Sequence, residues 1–297
     1  MRTPRQLVSL AVVFLASAAC LAADRSAQDD AEKFVRLRRD GQNKPLALET
    51  LVVTYSPKEA ASAGVLVDLV GAIHIADKQY YDELNRRFRR YDAVLYELVA
   101  RENENVPRPG ASPGSAVGGL QVGMKSLLGL QFQLDCVDYS RPNMVHADMS
   151  PEEFAETMKR RNESMTGTFF RLLGRSFAQQ AKDPVNATDL QLLAAMFAED
   201  RPYRLRLIMA EQFADAQGEM DVFDGPEGST IITERNKKAL EVLARQLQRG
   251  KKRLALFYGA GHLPDLQRRL AQDFHMQKTR TEWLVTWSLE AKKSPKR

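Results

Sequence analysis

The sequence predicts an α/β protein with a mixed, mainly parallel sheet, flanking helices, internally duplicated strand–GxxH–helix–strand halves and a helical insertion. Three observations carry this expectation. Short runs rich in Val, Leu and Ile recur along the chain at strand length. Two of them bracket an amphipathic helix, and a strand–helix–strand order implies parallel strands joined by a crossover. The pattern G-A-x-H-[IL]-x-D occurs twice, as Gly71, Ala72, His74, Ile75, Asp77 and as Gly259, Ala260, His262, Leu263, Asp265, each time between an apolar run and an amphipathic helix.

The elements follow in order. Arg2 and Arg5 precede an uncharged apolar run from Leu7 to Ala19, then small residues up to Asp24. That is the layout of a secretory signal over residues 1–23. An uncleaved anchor is the alternative, although about thirteen apolar residues fall short of the roughly 20 that a membrane span needs. "SAAC" adds a second one, a lipid on Cys20, but Ser17 stands where a lipid-modification site expects leucine. Residues 24–45 are polar and read as a loose leader, and one α/β domain is expected over 46–291. "LALETLVVTY" and "AGVLVDLVGAIH" read as strands. From Lys78 to Tyr91, Tyr81, Leu84, Phe88 and Tyr91 recur at helical spacing. "YDAVLYELVA" returns to strand.

Residues 106–123 are dense in Pro and Gly and read as a long loop. "GLQVGMKS" is no phosphate-binding loop, because Met124 separates the glycine from Lys125 and no strand precedes it. A mostly helical insertion is expected over about 150–217, starting at "SPEEF". There Ser150 is the N-cap, Pro151 opens the helix and Glu153 closes a capping box. A long helix from about Thr230 to Gln248 comes next, then strand "RLALFYGAGH", helix "PDLQRRLAQDF", strand "TEWLVTWSLE" and a basic tail over 292–297.

Bulk properties narrow the function classes. The 297 residues are 44% hydrophobic and 27% charged, which is ordinary for a globular chain. Loss of Arg2 and Arg5 with the signal would lower the net charge from +5 to +3, and no basic stripe carries interleaved aromatics, so nucleic acid is not an expected partner. Contact with a membrane is expected only through the signal or a lipid at Cys20. Cys136 would then be the one remaining cysteine, so no internal disulfide can hold the fold. It has no neighbouring histidine and reads as an inert thiol.

The candidate site residues stand out by misplacement. In a parallel sheet ligands sit beyond the carboxyl ends of the strands. Gly71 and Gly259 end apolar strands there, where glycine allows a close backbone approach to a ligand. His74 and His262 follow in the turns. Asp77 and Asp265 read as caps or dipole partners of the next helices. Glu97 is a carboxylate inside apolar "AVLYELVA", which demands a cation, a donor or a metal nearby unless it faces outward. Two histidines and a carboxylate are a ligand set for a divalent metal ion, although this spacing fixes no geometry. In "TERNKK" the polar Asn236 shares a face with Ile232, Leu240, Leu243 and Leu247, with Arg235 at its margin. Arg235 is thus a candidate partner for Glu97 or for an anionic transition state, or else an arginine snorkelling at the edge. His146, with Asp148 two residues on, is a third imidazole for which a core or capping role is the simpler reading. His275 sits at a helix end and receives no role.

Together "LVGAIHIADKQYYDELNRRFRRYDAVLYELV", "TERNKKALEVL" and "FYGAGHLPDL" resemble the TraB/PrgY/GumN family, which looks related to the TIKI proteases and the erythromycin esterases. The resemblance covers roughly residues 64–270 and rests on two G-x-x-H motifs, a glutamate on the strand after the first, and an E-R-N-type segment before the second. It implies a hydrolase-like α/β core, with metal-dependent peptidase activity in some relatives. His74 and His262 match the motif histidines, Glu97 the acid and Arg235 the helix arginine. The expected function is therefore an exported, periplasmic or envelope hydrolase acting on a peptide or small molecule. His74, His262 and Glu97 would hold the metal, and Glu97 and Arg235 would serve the chemistry. The alternatives are metal-free hydrolysis with His74 as base, and an envelope protein that binds a peptide or other ligand without turnover.

Overall fold

A computed structural model describes residues 33–59, 64–101, 127–163, 191, 194–216 and 228–290. The signal-like segment, most of the leader, the Pro/Gly-rich loop, the centre of the insertion and the basic tail lie outside these residues. The elements are β1 (Val35–Arg39), β2 (Pro45–Pro57), β3 (Leu66–Ala72), β4 (Ile75–Ala76), α1 (Lys78–Phe88), β5 (Ala93–Tyr96), β6 (Gln131–Phe132), β7 (Met144–His146), α2 (Pro151–Arg160), α3 (Arg201–Ala216), α4 (Arg235–Gln248), β8 (Arg253–Gly259), α5 (Leu263–Gln272) and β9 (Met276–Ser288).

Seven strands form one mixed, mostly parallel sheet in the order β1-β2-β3-β8-β5-β7, with β9 also paired to β2. β3, β8, β5 and β7 are parallel to one another, and β2 alone runs against the rest, antiparallel to β1, β3 and β9. β8 and β5 read as unbroken apolar runs because both faces are covered. Ala255 and Phe257 face the core that holds Tyr80, Tyr81, Leu84 and Phe88 of α1. Leu254, Leu256 and Tyr258 face the one built on Leu240 and Leu243 of α4 and Leu263, Leu266 and Leu270 of α5. The alternation follows from the two-residue period of a strand.

Three expectations stand differently in the structure. Part of the leader is ordered: Phe34 and Val35 are buried, and β1 pairs with β2 while Arg36 and Arg38 bond the buried Glu49. The duplication is not shown in the structure. After the first G-x-x-H the chain forms β4 before α1, and β5 joins the far side of β8. After the second it passes through a 3-10 turn, Ala260–His262, directly into α5, and β9 crosses to the opposite side of the sheet to pair antiparallel with β2. At Gly71 the close approach is to the protein itself. A methyl group there would stand 3.2 Å from the Leu51 carbonyl oxygen and 3.4 Å from Leu263 Cδ2, so the glycine lets β3 close on β2 and α5.

The capping box at Ser150 and Glu153 forms as expected. The described ends of the insertion, α2 and α3, are helical. Gly71→Ala is expected to destabilise the fold by about 1–3 kcal/mol, the cost of overpacking against atoms that cannot swing away. Thermal denaturation measures it, and an unchanged midpoint would mean the sheet has slack at this position.

Candidate functional site

β3 and β8 are neighbours in register, Gly71 beside Tyr258 and Ala72 beside Gly259, so both G-x-x-H turns leave the same end of the sheet. β5 lies on the other side of β8, and Glu97 follows its last residue. The Glu97 amide donates to the Phe257 carbonyl at 3.2 Å, and its side chain folds back over the end of β8. There Oε2 accepts the Gly259 amide at 2.6 Å. A Cβ on Gly259 would stand 3.2 Å from that oxygen, so the close approach the sequence suggested is real, but its partner is Glu97.

The other oxygen of Glu97, Oε1, accepts from Arg235 Nη2 at 2.7 Å. Arg235 opens α4 after a π-helical turn, Thr230–Glu234, and its fork also grips a carboxylate the sequence did not assign. Nε donates to Asp148 Oδ1 at 2.9 Å and Nη2 to Oδ2 at 2.6 Å. Asp148 is 2% exposed and comes two residues after β7, where the Ala147 amide extends the pairing to the Tyr96 carbonyl at 3.2 Å. Asp148 Oδ1 additionally accepts the Met149 amide at 2.8 Å. A buried carboxylate, a buried guanidinium and a second carboxylate thus form one chain of charge-assisted bonds.

These contacts decide the ionisation of Glu97. Burial pushes its pKa up, but the field and hydrogen bond of a protonated His262, the Arg235 charge and the Gly259 amide together hold it well below the usual carboxylate range. For Arg235, burial works against the charge, and Asp148 and Glu97 more than offset it, so the guanidinium is held above its ordinary value.

His262 completes the group, and its orientation is set from behind. Asn236, one residue after Arg235 on α4, donates through Nδ2 to the His262 carbonyl at 3.1 Å and to Asp265 Oδ2 at 2.9 Å. With both amide bonds donating, Oδ1 is the acceptor, and it lies 2.7 Å from His262 Nδ1. The hydrogen-bond network therefore places a proton on Nδ1 and turns Nε2 toward Glu97 Oε1, 3.4 Å away. The Tyr258 ring meets the imidazole edge-on, with centroids 5.3 Å apart. Asp265 is held in turn by Arg268 and by Arg269 Nε at 2.7 Å.

The remaining predicted residues do not join. His74 is exposed, and among the described residues its side chain is not one of the groups contacting Glu97 or His262; its carbonyl accepts the Gln133 amide at 2.9 Å. Asp77 stands at the N-cap of α1 without a capping bond, and instead accepts Arg206 at 3.1 Å and the Ser288 amide at 2.6 Å. Asp265 lies in the first turn of α5 and supports Asn236. His146 Nε2 bonds the Leu98 carbonyl at 2.6 Å, so it braces the chain after Glu97. Among the described residues no three His, Cys, Asp or Glu side chains gather at a single point that could hold a metal ion. Asp148 had one signal in the sequence, an acid two residues after His146, but its partner is 87 positions away.

Compared with protein-family models, curated proteins and solved structures, the chain matches none.

Because the Glu97 pKa is depressed in the folded state, its contribution to stability is fully present above the ordinary value of 4.5 and is lost as the pH falls below it. The gap in unfolding free energy between wild type and Glu97→Gln, measured in urea, is therefore expected to shrink from pH 7 to pH 3. A constant gap would contradict the contacts assigned to this carboxylate.

Proposed function

We propose that the chain is a hydrolase of the TraB/PrgY/GumN kind, exported from the cytoplasm and acting on peptides, with its working site around Glu97 and His262. One observation carries the reading: a carboxylate at the carboxyl end of the sheet is held by Arg235 and Gly259 while facing the Nε2 of an imidazole whose other nitrogen is engaged.

A divalent metal fits two of the three expected donors. Two ligands about 2.1 Å from one tetrahedral ion stand about 3.4 Å apart, the separation found between His262 Nε2 and Glu97 Oε1. Arg235 uses one lone pair of that oxygen and leaves the other available. His74, from the neighbouring turn, would be the third donor. Such an ion would polarise a scissile carbonyl and lower the pKa of its bound water to about 7.

The chain's own residues then take defined roles. Asn236 keeps the His262 proton on Nδ1, so that Nε2 is the coordinating nitrogen, as outer hydrogen bonds do at metal centres. Arg235 and the Gly259 amide hold the charge of Glu97, so in this reading it is a ligand and not the general base. Arg235 binds both carboxylates, so in this reading it positions Glu97 and does not touch the developing oxyanion. A second reading is favoured by the exposure of His74: a metal-free hydrolase in which that imidazole serves as the base.

Elemental analysis and peptide hydrolysis test the proposal together. The purified chain is expected to retain near-stoichiometric divalent metal. His262→Gln and His74→Gln should each lower it at least tenfold, and chelation should abolish activity until metal is restored. Absence of retained metal would end the metal reading, and turnover surviving exhaustive chelation would favour His74 as base.

A further inference from the structure

The turn that carries His74 is secured from outside itself. It runs into β4, which pairs with β6 through Ile75 beside Phe132 and Ala76 beside Gln131. So small a ribbon is not stable alone. Its neighbours hold it. The Tyr81 hydroxyl donates to the Ile73 carbonyl at 2.9 Å, the Gln133 amide to the His74 carbonyl at 2.9 Å, and Trp287 Nε1 to the Ile75 carbonyl at 2.7 Å. The backbone on both sides of His74 is thus fixed, although the residue itself is exposed.

A further hold comes from the insertion and reaches both strands of the ribbon at once. Leu205 and Ile208 seat α3 in the core that also contains Tyr80 and Tyr81 of α1. Between them stands Arg206, half-buried. Its Nε donates to the Leu128 carbonyl at 2.5 Å and its Nη2 to the Gly129 carbonyl at 2.7 Å, on the chain that enters β6. Nη1 donates to Asp77 Oδ1 at 3.1 Å, directly after β4. One planar fork therefore joins the two strands, a geometry that the single ammonium of a lysine does not reproduce. Gly129 is fitted to the fork: its φ is +62°, and a Cβ there would stand 3.2 Å from Arg206 Nη2.

We propose that Arg206 is a positioning residue for His74. It touches neither substrate nor metal. By clamping the β4–β6 ribbon it holds the backbone of His74 still, so that the imidazole is presented from a fixed place at the end of the sheet where Glu97 and His262 meet. The use of His74 as a donor rests on the hydrolase reading above; the clamp itself does not.

Two variants of the full chain test this. Arg206→Lys keeps a charge beside Asp77 and loses the fork, and Gly129→Ala disturbs the same clamp from the other side. NMR relaxation reads the clamp without any metal. Amide order parameters over residues 73–76 are expected near the rigid value of about 0.85 in wild type and to fall toward about 0.6 in both variants, while those of β8 stay rigid. Zinc titration reads the consequence. Arg206→Lys should weaken zinc binding at least about tenfold, as loss of an outer support does, and should have no further effect in a His74→Gln background, because it acts through that imidazole. Order parameters over 73–76 that are low in wild type or unchanged in the variants would overturn the proposal, and so would an equal loss of zinc binding in both backgrounds. A wild-type chain that binds no zinc would end the metal reading instead, and the order parameters would then decide on the clamp by themselves.

Discussion

The guanidinium of Arg235, held between Asp148 and Glu97, is the interaction on which the arrangement of this end of the molecule depends. It joins a helix on one face of the sheet to the carboxylate that ends β5 and to the acid that follows β7. Through Glu97 it also reaches the Gly259 amide at the end of β8. Desolvating three charges offsets most of what their attraction supplies, so the net gain in stability from such a cluster is near zero. Removing one partner is different, because it strands a buried charge at a cost of about 3–5 kcal/mol. The cluster therefore acts by restricting the arrangement: few packings of α4 against the sheet satisfy all three groups at once.

Asn236 gains its meaning from this restriction. Once Arg235 fixes the start of α4, the next residue is carried to the imidazole of His262 and to Asp265. Two adjacent polar residues on one helix thus hold a carboxylate and a histidine that belong to different strand ends. This is why the segment presents its polar pair on an otherwise apolar face.

Much of this was legible in the sequence. Glu97 stands in an apolar strand, and the cost of burying an unpaired carboxylate requires a partner. Arg235 and Asn236 break an apolar helix face for the same reason. The central strands declare themselves because burial on both faces leaves no polar alternation to confuse with a helix. What stayed hidden depends on distant pairing. β1 alternates Val35 and Leu37 with Arg36 and Arg38, a strand period masked by charges whose partner, Glu49, comes only in the next strand. Asp148 and Arg235 are matched across the whole insertion. The two G-x-x-H motifs are alike in residues, but β4 follows only the first, and Gln131–Phe132, the partner of β4, lies more than fifty residues further on. No local pattern predicts that difference, which leaves His74 exposed and His262 buried.

A double-mutant cycle on Glu97 and Arg235, with Glu97→Gln, Arg235→Gln and the pair compared by urea denaturation at pH 7, tests the central claim most directly. Residues sharing one ionic network are coupled by about 0.5–3 kcal/mol, and that coupling is the expected result. A coupling below about 0.5 kcal/mol, the level of independent sites, would mean that Arg235 does not hold Glu97 and that the site is organised in some other way.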